Sequence, residues 1–209
     1  MDGVLVDSGH AHYLSWRRLA EERGMRPMDE AEFKSSFGGR SAEIIARWFG
    51  ERRNEIVKSM DERKEAIYRE LIRGQVPAMP GAVELVAALH AADIRIAVGS
   101  SGPPENIDLV CDEMGLRPYL SAIVTGMDVQ RGKPDPQVFL LAAEQMGTRP
   151  TDTVVIEDAP LGVEAAKRAG MRCIALTSSH PGDVLHAADE IVTGLAEIGV
   201  DRVRRMLSR

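Results

Sequence analysis

Two adjacent carboxylates, Glu157 and Asp158, directly follow a short apolar run at 154–156. A run of this kind is typical of a buried strand, so we expect the acidic pair at the end of that strand. Neighbouring carboxylates repel each other, and a hard cation such as Mg²⁺ is the natural compensation. A helix cap would account for one of the two carboxylates but not for both. The pair therefore predicts a magnesium site.

A glycine- and serine-rich turn follows a second apolar run, 94–98. Gly99 and Gly102 allow the backbone to turn its amide groups toward an anion, and Ser100 and Ser101 add further donors. The helix expected next contributes the positive end of its dipole. An ordinary turn is the competing interpretation, and it is the better one while this motif is considered alone.

Two further polar positions fit the same pattern. Lys133 lies between Gly132 and Pro134, beyond the apolar run 121–125, and Asp2 is interpreted as the tip of another strand. A lysine held in such a turn can present a point charge to a phosphate, although a lone lysine is more often a solvated surface group. Ligands of a parallel sheet bind at the carboxyl ends of its strands. A pocket for Mg²⁺ and a phosphoryl group is therefore predicted from four features together: the acidic pair, the glycine- and serine-rich turn, Lys133 and Asp2.

The elements that must position these residues fall into two blocks. Residues 10–75 show helical periodicity throughout, whereas short β-branched runs alternate with amphipathic helices beyond the proline- and glycine-containing stretch 76–81. That alternation predicts an α/β fold with a doubly wound, Rossmann-like parallel sheet. The helical block is then a separate small domain inserted after the first strand, which is called the cap below. We expect the core to comprise 1–8 and 77–209 and the cap to comprise 9–76.

Local signals give two more expectations. The side chain of Asp7 or Ser8 is expected to accept hydrogen bonds from the free amides of a helix that begins near His10 and stops at Gly24. The apolar run that starts at position 94 is expected to be a strand as far as Gly99. Both expectations concern segments that lead into or out of the predicted pocket.

Composition excludes several classes of protein. The formal charge of −6 and the 4% aromatic content argue against nucleic-acid and membrane-surface partners, because both need a basic face. No apolar segment reaches membrane-spanning length, and the acidic N-terminus lacks the pattern of a signal peptide. Cys111 and Cys173 are expected to be reduced, buried thiols. The composition therefore predicts a cytoplasmic protein. The pocket predicted above would take a small molecule, and a monomer is the default for a cap and core pair.

These motifs resemble those of the haloacid dehalogenase-like hydrolases, in particular the branch with β-phosphoglucomutase and small phosphosugar phosphatases. The resemblance rests on four motifs in the family's order and spacing: the stretch 1–8, Ser100, Lys133 in Lys-Pro-Asp-Pro, and Glu157 with Asp158. It extends over essentially the whole chain, and the helical block 9–76 matches the family's four-helix cap. It implies a Mg²⁺-dependent phosphatase of a small phosphorylated metabolite, with a sugar phosphate as the expected substrate.

The resemblance also implies acid–base and metal roles. Asp2 matches the second aspartate of the family's Asp-x-Asp motif, so it would protonate the leaving oxygen and then activate water. The backbone carbonyl of Asp2 and the carboxylate of Asp158 would ligate Mg²⁺, and Glu157 would ligate it directly or through water. Lys133 would neutralise charge on the transferring phosphoryl group.

The resemblance assigns further residues to phosphate and substrate binding: Gly3, Ser100 and Ser101 in the core, and His12, Arg40 and Lys64 in the cap. His12 and Lys64 match cap positions that the family's mutases use near the substrate, and a solvated helix residue is equally expected at each. Arg40 is offset by two residues from the position of a second phosphate-binding arginine. That offset favours a phosphatase over a β-phosphoglucomutase-type mutase.

The family's nucleophile is an aspartate two residues before Asp2, carried by a strand that would precede Met1. A miscalled start, a trimmed sequence or a truncated product would each explain its absence from the printed sequence. The first two explanations are favoured, because exposing the core beside a lost strand costs on the order of 25 cal/mol per Å² of apolar surface. If the chain is taken as written, the alternative is a catalytically dead module that binds phosphate-like ligands or a partner.

Overall fold

Helices and strands segregate along the chain. The computed structural model describes residues 1–36 and 41–208. Ser8–Gln75 forms one compact unit, called the helical unit below, and Met1–Asp7 with Val76–Arg209 forms the other, called the sheet unit. The assignment of these units as cap and catalytic core stays a prediction.

The helical unit is built from amphipathic helices whose apolar faces meet. Its described residues contain α1 (Gly9–Glu22), α2 (Glu30–Ser36), α3 (Ser41–Trp48) and α4 (Asn54–Ile72). Trp16 and Leu19 of α1, Ile45 of α3, and Met60 and Ile67 of α4 belong to one buried apolar cluster. Burial of these side chains stabilises the unit more than intrinsic helix propensity does, because short helices are marginal by themselves.

The expected side-chain cap of α1 does not form. The N-cap residue is Ser8, which has helical backbone angles (φ −84°, ψ −9°) and makes no side-chain hydrogen bond to the helix. Its hydroxyl oxygen is buried and has no hydrogen-bond partner within the described part of the chain. A capping side chain reaches the free amides from an extended backbone conformation. The prediction that Asp7 or Ser8 caps the helix was therefore wrong.

The sheet unit alternates helices with short parallel strands. In chain order its described elements are α5 (Ala82–Ala91), β1 (Ala97–Gly99), α6 (Pro104–Glu113), β2 (Ala122–Val124), α7 (Gln137–Met146), β3 (Val154–Glu157), α8 (Pro160–Arg168), β4 (Arg172–Leu176), β5 (Glu190–Val192) and α9 (Val200–Leu207). Strand β1 pairs with β2, and β4 lies between β3 and β5; all of these pairings are parallel. The predicted α/β class is thereby confirmed, whereas α9 has no counterpart in the prediction.

Successive residues of β4 show that helices cover both faces of the sheet. Cys173 and Ala175 lie in an apolar cluster with residues of α7 and α8, whereas Ile174 and Leu176 lie in a second cluster with residues of α5 and α9. All four side chains are fully buried. A strand that is covered on both faces is apolar at successive positions, as β4 is. The predicted doubly wound arrangement is therefore confirmed.

The sheet has two parts that do not pair with each other within residues 1–36 and 41–208. One part is β1 with β2, and the other is β3 with β4 and β5. Residues of β1 and β3 line a cavity of about 570 Å³, called the interstrand cavity below. The predicted strand over 94–99 forms only at 97–99, where β2 supplies partners, and 94–96 lines the cavity. Strand β1 is therefore shorter than the apolar run that starts at position 94, because it has a pairing partner on one edge only.

The burial pattern predicts unequal effects of two isoleucine substitutions in the same sheet. Ile174→Ala should destabilise the fold by about 2–5 kcal/mol, because it opens a void in a packed core. Ile191→Ala on β5 is the matched control, since Ile191 is 43% exposed and Ile174 is fully buried; its cost should stay below about 1 kcal/mol. Urea unfolding followed by circular dichroism measures both, and equal losses would contradict the two-sided burial of β4.

Candidate active site

An acidic pair lies at the carboxyl end of β3. Glu157 and Asp158 are only 5% and 6% exposed. Helix α8 begins two residues later, at Pro160. Proline is well tolerated in the first turn of a helix, because the N–H that it lacks would not have made a helical hydrogen bond there. The Glu157 carboxylate lies against the backbone of Gly162, where a Cβ atom would overlap it. The local strand–turn–helix sequence thus holds two carboxylates away from bulk water.

Lys133 balances one of these charges. Its ammonium group forms a salt bridge with Glu157 and lies 4.8 Å from the centre of the Phe139 ring. Glu157 also accepts hydrogen bonds from the backbone N–H groups of Asp158 (3.0 Å) and Ala159 (3.2 Å). Burial acts to raise the pKa of Glu157, but the positive charges of Lys133 and the terminal amino group, together with hydrogen bonds from Lys133 and the Ala159 N–H, outweigh it and hold that pKa below its usual value. Lys133 therefore acts on Glu157 before any ligand binds.

Asp158 is in a different electrostatic state. Burial, followed by the charge of Glu157, raises the pKa of Asp158 to about 6. A hydrogen bond from Ser179 opposes this shift only in part. A raised pKa means that the ionised carboxylate is disfavoured where it lies, and a bound cation would remove that penalty. Of the groups in this site, Asp158 is therefore the one whose ionised form a nearby cation would stabilise most.

The expected strand tip at Asp2 is a tight turn. Asp2 forms an isolated bridge with Val6. The Gly3 N–H donates to the carbonyl oxygen of Val6 (2.8 Å), and the Leu5 N–H donates to that of Met1 (2.7 Å). The backbone groups of residues 1–6 therefore bond mainly to one another, and the interpretation of Asp2 as the tip of a strand stays a prediction.

Gly3 brings this turn against the acidic pair. Its φ of +66° is a left-handed conformation, and a Cβ atom there would overlap the carboxylate of Asp158. Glycine satisfies both conditions without strain. The hydroxyl of Ser178 donates to the Gly3 carbonyl oxygen, and His180 Nδ1 donates to the Asp158 carbonyl oxygen (3.1 Å). Together with the hydrogen bond from Ser179, these contacts fix the turn and Asp158 in one arrangement.

The loop that supplies Ser178, Ser179 and His180 is the part that sequence reasoning missed. Its residues look like an ordinary polar turn, and their partners are distant in sequence. The loop follows the carboxyl end of β4, and this position in the chain is the signal that could have identified its residues. The rule that located the other positions applies equally to that strand.

The serine-containing turn lies at the carboxyl end of β1. The Ser100 side chain is buried, and its hydroxyl oxygen accepts a hydrogen bond from the Gly102 N–H (3.1 Å). That hydroxyl retains its own proton, which it can donate to an anion. Ser101 is exposed, and a Cβ atom at Gly126 would overlap its carbonyl oxygen. Helix α6 begins soon after, at Pro104, and presents its N-terminus on this side of the turn.

The helical unit contains a buried lysine–histidine pair. Lys64 Nζ on α4 donates to His12 Nδ1 on α1 (2.8 Å) and to Glu65 Oε1 (2.7 Å). The His12 ring stacks on Tyr68, with 4.0 Å between ring centres. Lys64 is only 4% exposed, so it is not the solvated helix residue of the competing interpretation. Arg40 lies outside the described residues.

The donors at the end of β3 fit a hard divalent cation. Glu157 and Asp158 offer carboxylate oxygens, the ligands that Mg²⁺ prefers. The contact of Gly3 with Asp158 also brings the first turn to the same place. Residues 1–36 and 41–208 contain no group of three or more His, Cys, Asp or Glu side chains that could hold a metal. A cation here would therefore complete its shell with backbone oxygens and water, which is common for Mg²⁺.

Known proteins match this chain over most of its length. A family model described as haloacid dehalogenase-like hydrolase matches residues 1–176. Validoxylamine A 7'-phosphate phosphatase of Streptomyces hygroscopicus subsp. limoneus is 32% identical, covering 95% of this chain and 92% of that protein. β-Phosphoglucomutase of Bacillus subtilis is 29% identical, with 96% and 90% covered. The crystal structure of a HAD hydrolase (family IA, variant 3) from Entamoeba histolytica has a TM-score of 0.91 at 22% identity, with 100% and 97% covered.

These matches define the class of protein. The chain belongs to the haloacid dehalogenase-like hydrolase family, and its relatives include proteins named as phosphatases and as β-phosphoglucomutase. The resemblance drawn from the four motifs is confirmed. In addition, every described helix is too short or too polar to cross a membrane.

The state of Asp158 predicts a pH-dependent stability in metal-free protein. Because folding raises its pKa, the stability that Asp158 contributes is present below about pH 4 and is lost as the pH rises through about 6. Relative to Asp158→Asn, the free energy of unfolding of the unsubstituted protein should fall by up to about 3 kcal/mol across that interval. Denaturant unfolding in a chelator at each pH measures this difference. The exposed substitution Asp201→Asn is the control, and parallel pH profiles for Asp158→Asn and Asp201→Asn would contradict the assignment.

Proposed function

We propose that this protein is a Mg²⁺-dependent phosphatase of a small phosphorylated metabolite, with a sugar phosphate as the substrate. The observation that carries the proposal is the contact of the Asp2–Gly3 turn with Asp158, at the carboxyl edge of the sheet. An acid–base candidate and a carboxylate with a raised pKa thereby lie in one place. The relative named as a phosphatase of validoxylamine A 7'-phosphate supports the reaction class.

The proposed metal ligands are the carboxylate of Asp158, the backbone carbonyl of Asp2, and Glu157 either directly or through water. When bound, the ion would neutralise charge on the phosphoryl oxygens. Lys133, which already pairs with Glu157, would add positive charge on the same side. Its salt bridge also limits the number of positions that its flexible side chain can occupy.

The phosphoryl group would be held by the other strand ends. The Ser100 hydroxyl would donate its proton to one phosphoryl oxygen, while its oxygen accepts from Gly102. The backbone amides of Ser101 and Gly3 would donate to others. These donors are held in place by backbone turns, so little reorganisation is needed when charge builds up on the phosphoryl oxygens.

The proposed nucleophile is an aspartate two residues before Asp2, outside the printed sequence. Its carboxylate oxygen would attack phosphorus while the bond from phosphorus to the ester oxygen breaks, and Asp2 would protonate that leaving oxygen. Water would then attack the aspartyl-phosphate as Asp2 takes up its proton. Inorganic phosphate leaves, and both carboxyl groups return to their starting states.

A β-phosphoglucomutase-type mutase is the second candidate. The observation that favours it is the buried contact of Lys64 with His12, the two cap positions that resemble substrate-contacting residues of the family's mutases. In that reaction a sugar hydroxyl would take the phosphoryl group from the aspartyl-phosphate in place of water. The relative named as β-phosphoglucomutase is consistent with it.

Product analysis separates these candidates. Phosphate release from a panel of sugar phosphates and isomerisation of β-glucose 1-phosphate should be measured with a version that carries Asp directly before Met1 at the end of an apolar strand. A version with Asn at that position is the matched control. Phosphate release that requires the Asp supports the phosphatase. Dominant isomerisation would establish the mutase instead, and the absence of both reactions would favour a non-catalytic module.

Substitution of the central carboxylate gives a further test. In that active version, Asp158→Asn should lower kcat by about 100-fold or more, the order of magnitude lost when one charge-stabilising group is removed. It should also raise the Mg²⁺ concentration needed for half-maximal rate, because one anionic ligand is lost. Asp201→Asn, on an exposed position of α9, serves as the control. Near-normal turnover and metal dependence in Asp158→Asn would overturn the metal assignment.

A further inference from the structure

Three consecutive side chains of the loop after β4 contact the candidate site, and they act on different groups of it. The Ser178 hydroxyl donates to the Gly3 carbonyl oxygen, and His180 Nδ1 donates to the Asp158 carbonyl oxygen (3.1 Å). Ser179, between them, donates to the side chain of Asp158. Two of the three contacts therefore hold backbone groups, whereas the contact of Ser179 acts on the carboxylate that is proposed to bind the cation.

The absence of a side chain at position 3 leaves space for the hydrogen bond of Ser179. A Cβ atom on Gly3 would overlap both the Asp158 carboxylate and the hydroxyl oxygen of Ser179. The two groups therefore lie together against the Gly3 backbone. Ser179 is exposed, so its hydroxyl is held there by hydrogen bonding and not by burial in a core. This hydrogen bond holds one edge of the carboxylate toward Gly3 and the loop.

The neighbouring carboxylate is engaged at both of its oxygens. Glu157 Oε1 accepts from Lys133, and Oε2 accepts from the N–H groups of Asp158 (3.0 Å) and Ala159 (3.2 Å). The carboxylate also lies against the backbone of Gly162. A cation that used both oxygens of Glu157 would have to displace these donors. Of the two residues in the acidic pair, Asp158 is therefore the one whose freedom to chelate depends on the loop after β4.

The number of oxygens that a carboxylate can offer distinguishes two common divalent cations. Mg²⁺ demands a nearly ideal octahedron and keeps several waters, whereas Ca²⁺ accepts about six to eight oxygen ligands and often takes both oxygens of one carboxylate. With one oxygen engaged by Ser179, Asp158 offers its other oxygen to a cation. That arrangement suits Mg²⁺ and withholds the second oxygen from Ca²⁺.

We propose that Ser179 is a positioning residue that sets the cation preference of the site: its hydroxyl holds Asp158 to ligation through one oxygen and so favours Mg²⁺ over Ca²⁺. The inference rests on the metal assignment in the proposed function, and it adds a residue from a loop to which the four sequence motifs assign no role. Without the hydroxyl, the carboxylate would turn more freely. It would lose the orientation that suits Mg²⁺ and could present both oxygens to Ca²⁺.

Cation binding to the printed chain tests this role without any catalytic step. Mn²⁺ can replace Mg²⁺ at oxygen ligands, and its affinity is measured from the electron paramagnetic resonance signal of the free ion; Mg²⁺ and Ca²⁺ are measured by competition with it. Ser179→Ala should weaken Mn²⁺ and Mg²⁺ binding by about 10- to 100-fold, the loss typical when a group that orients a metal ligand is removed. Ca²⁺ binding should weaken less or strengthen, so that the ratio of Ca²⁺ to Mg²⁺ affinity rises by about 10-fold or more.

Matched variants separate orientation of the carboxylate from general damage. Ser179→Thr keeps the hydroxyl and should leave the affinity ratio within about threefold of that of the unsubstituted chain. Ser121→Ala removes an exposed serine at the amino end of β2 and should change none of the affinities. If Ser179→Ala does not fold in chelator, Ser179→Cys, whose thiol is a weak donor, should shift the ratio in the same direction. An unchanged ratio, an equal loss for all three cations or no rescue by Thr would overturn the proposal.

Asp158→Asn, measured in the same way, keeps this inference distinct from the proposed function. If Asp158→Asn weakens Mn²⁺ binding but Ser179→Ala leaves the affinity ratio unchanged, the metal assignment stands and the role of Ser179 is overturned. If Asp158→Asn leaves Mn²⁺ binding unchanged, both are overturned. If the ratio shifts as expected but the active version releases no phosphate, the role of Ser179 stands and the phosphatase is overturned.

Discussion

The repulsion between two buried carboxylates at the end of β3 is the constraint on which the site depends. The protein itself neutralises one of the two charges, because Lys133 forms a salt bridge with Glu157. Asp158 is left with a pKa raised by burial and by its neighbour. The Gly3 turn and the loop after β4 close around that carboxylate through contacts that leave no room for a side chain at position 3. The site is thus prepared electrostatically for a cation before one is bound.

The division of the sheet is the second constraint. A cavity of about 570 Å³ is lined by residues of both β1 and β3. Met1 and Glu157 are among the residues that line this cavity.

The sequence predicted the parts of this architecture that depend on local signals. Glycine and proline mark the turns that hold Ser100 and Lys133, and successive apolar residues in β4 indicate a strand covered on both faces. It did not predict three other features of the site and its surroundings. Asp2 lies in a turn closed by its own neighbours, Ser8 has the wrong backbone angles for capping, and Ser179 gains its role only through contact with Asp158. No periodicity encodes such contacts.

We propose that Asp158 and the first turn form a cation site at the carboxyl edge of the sheet. Mn²⁺ can replace Mg²⁺ at oxygen ligands, and it broadens the NMR signals of nearby nuclei. Backbone amide spectra recorded during a Mn²⁺ titration should lose the signals of Gly3, Asp158 and Ser179 first, and this selective loss should vanish in Asp158→Asn. Broadening that begins at exposed acidic residues elsewhere, or that is the same in Asp158→Asn, would contradict the account.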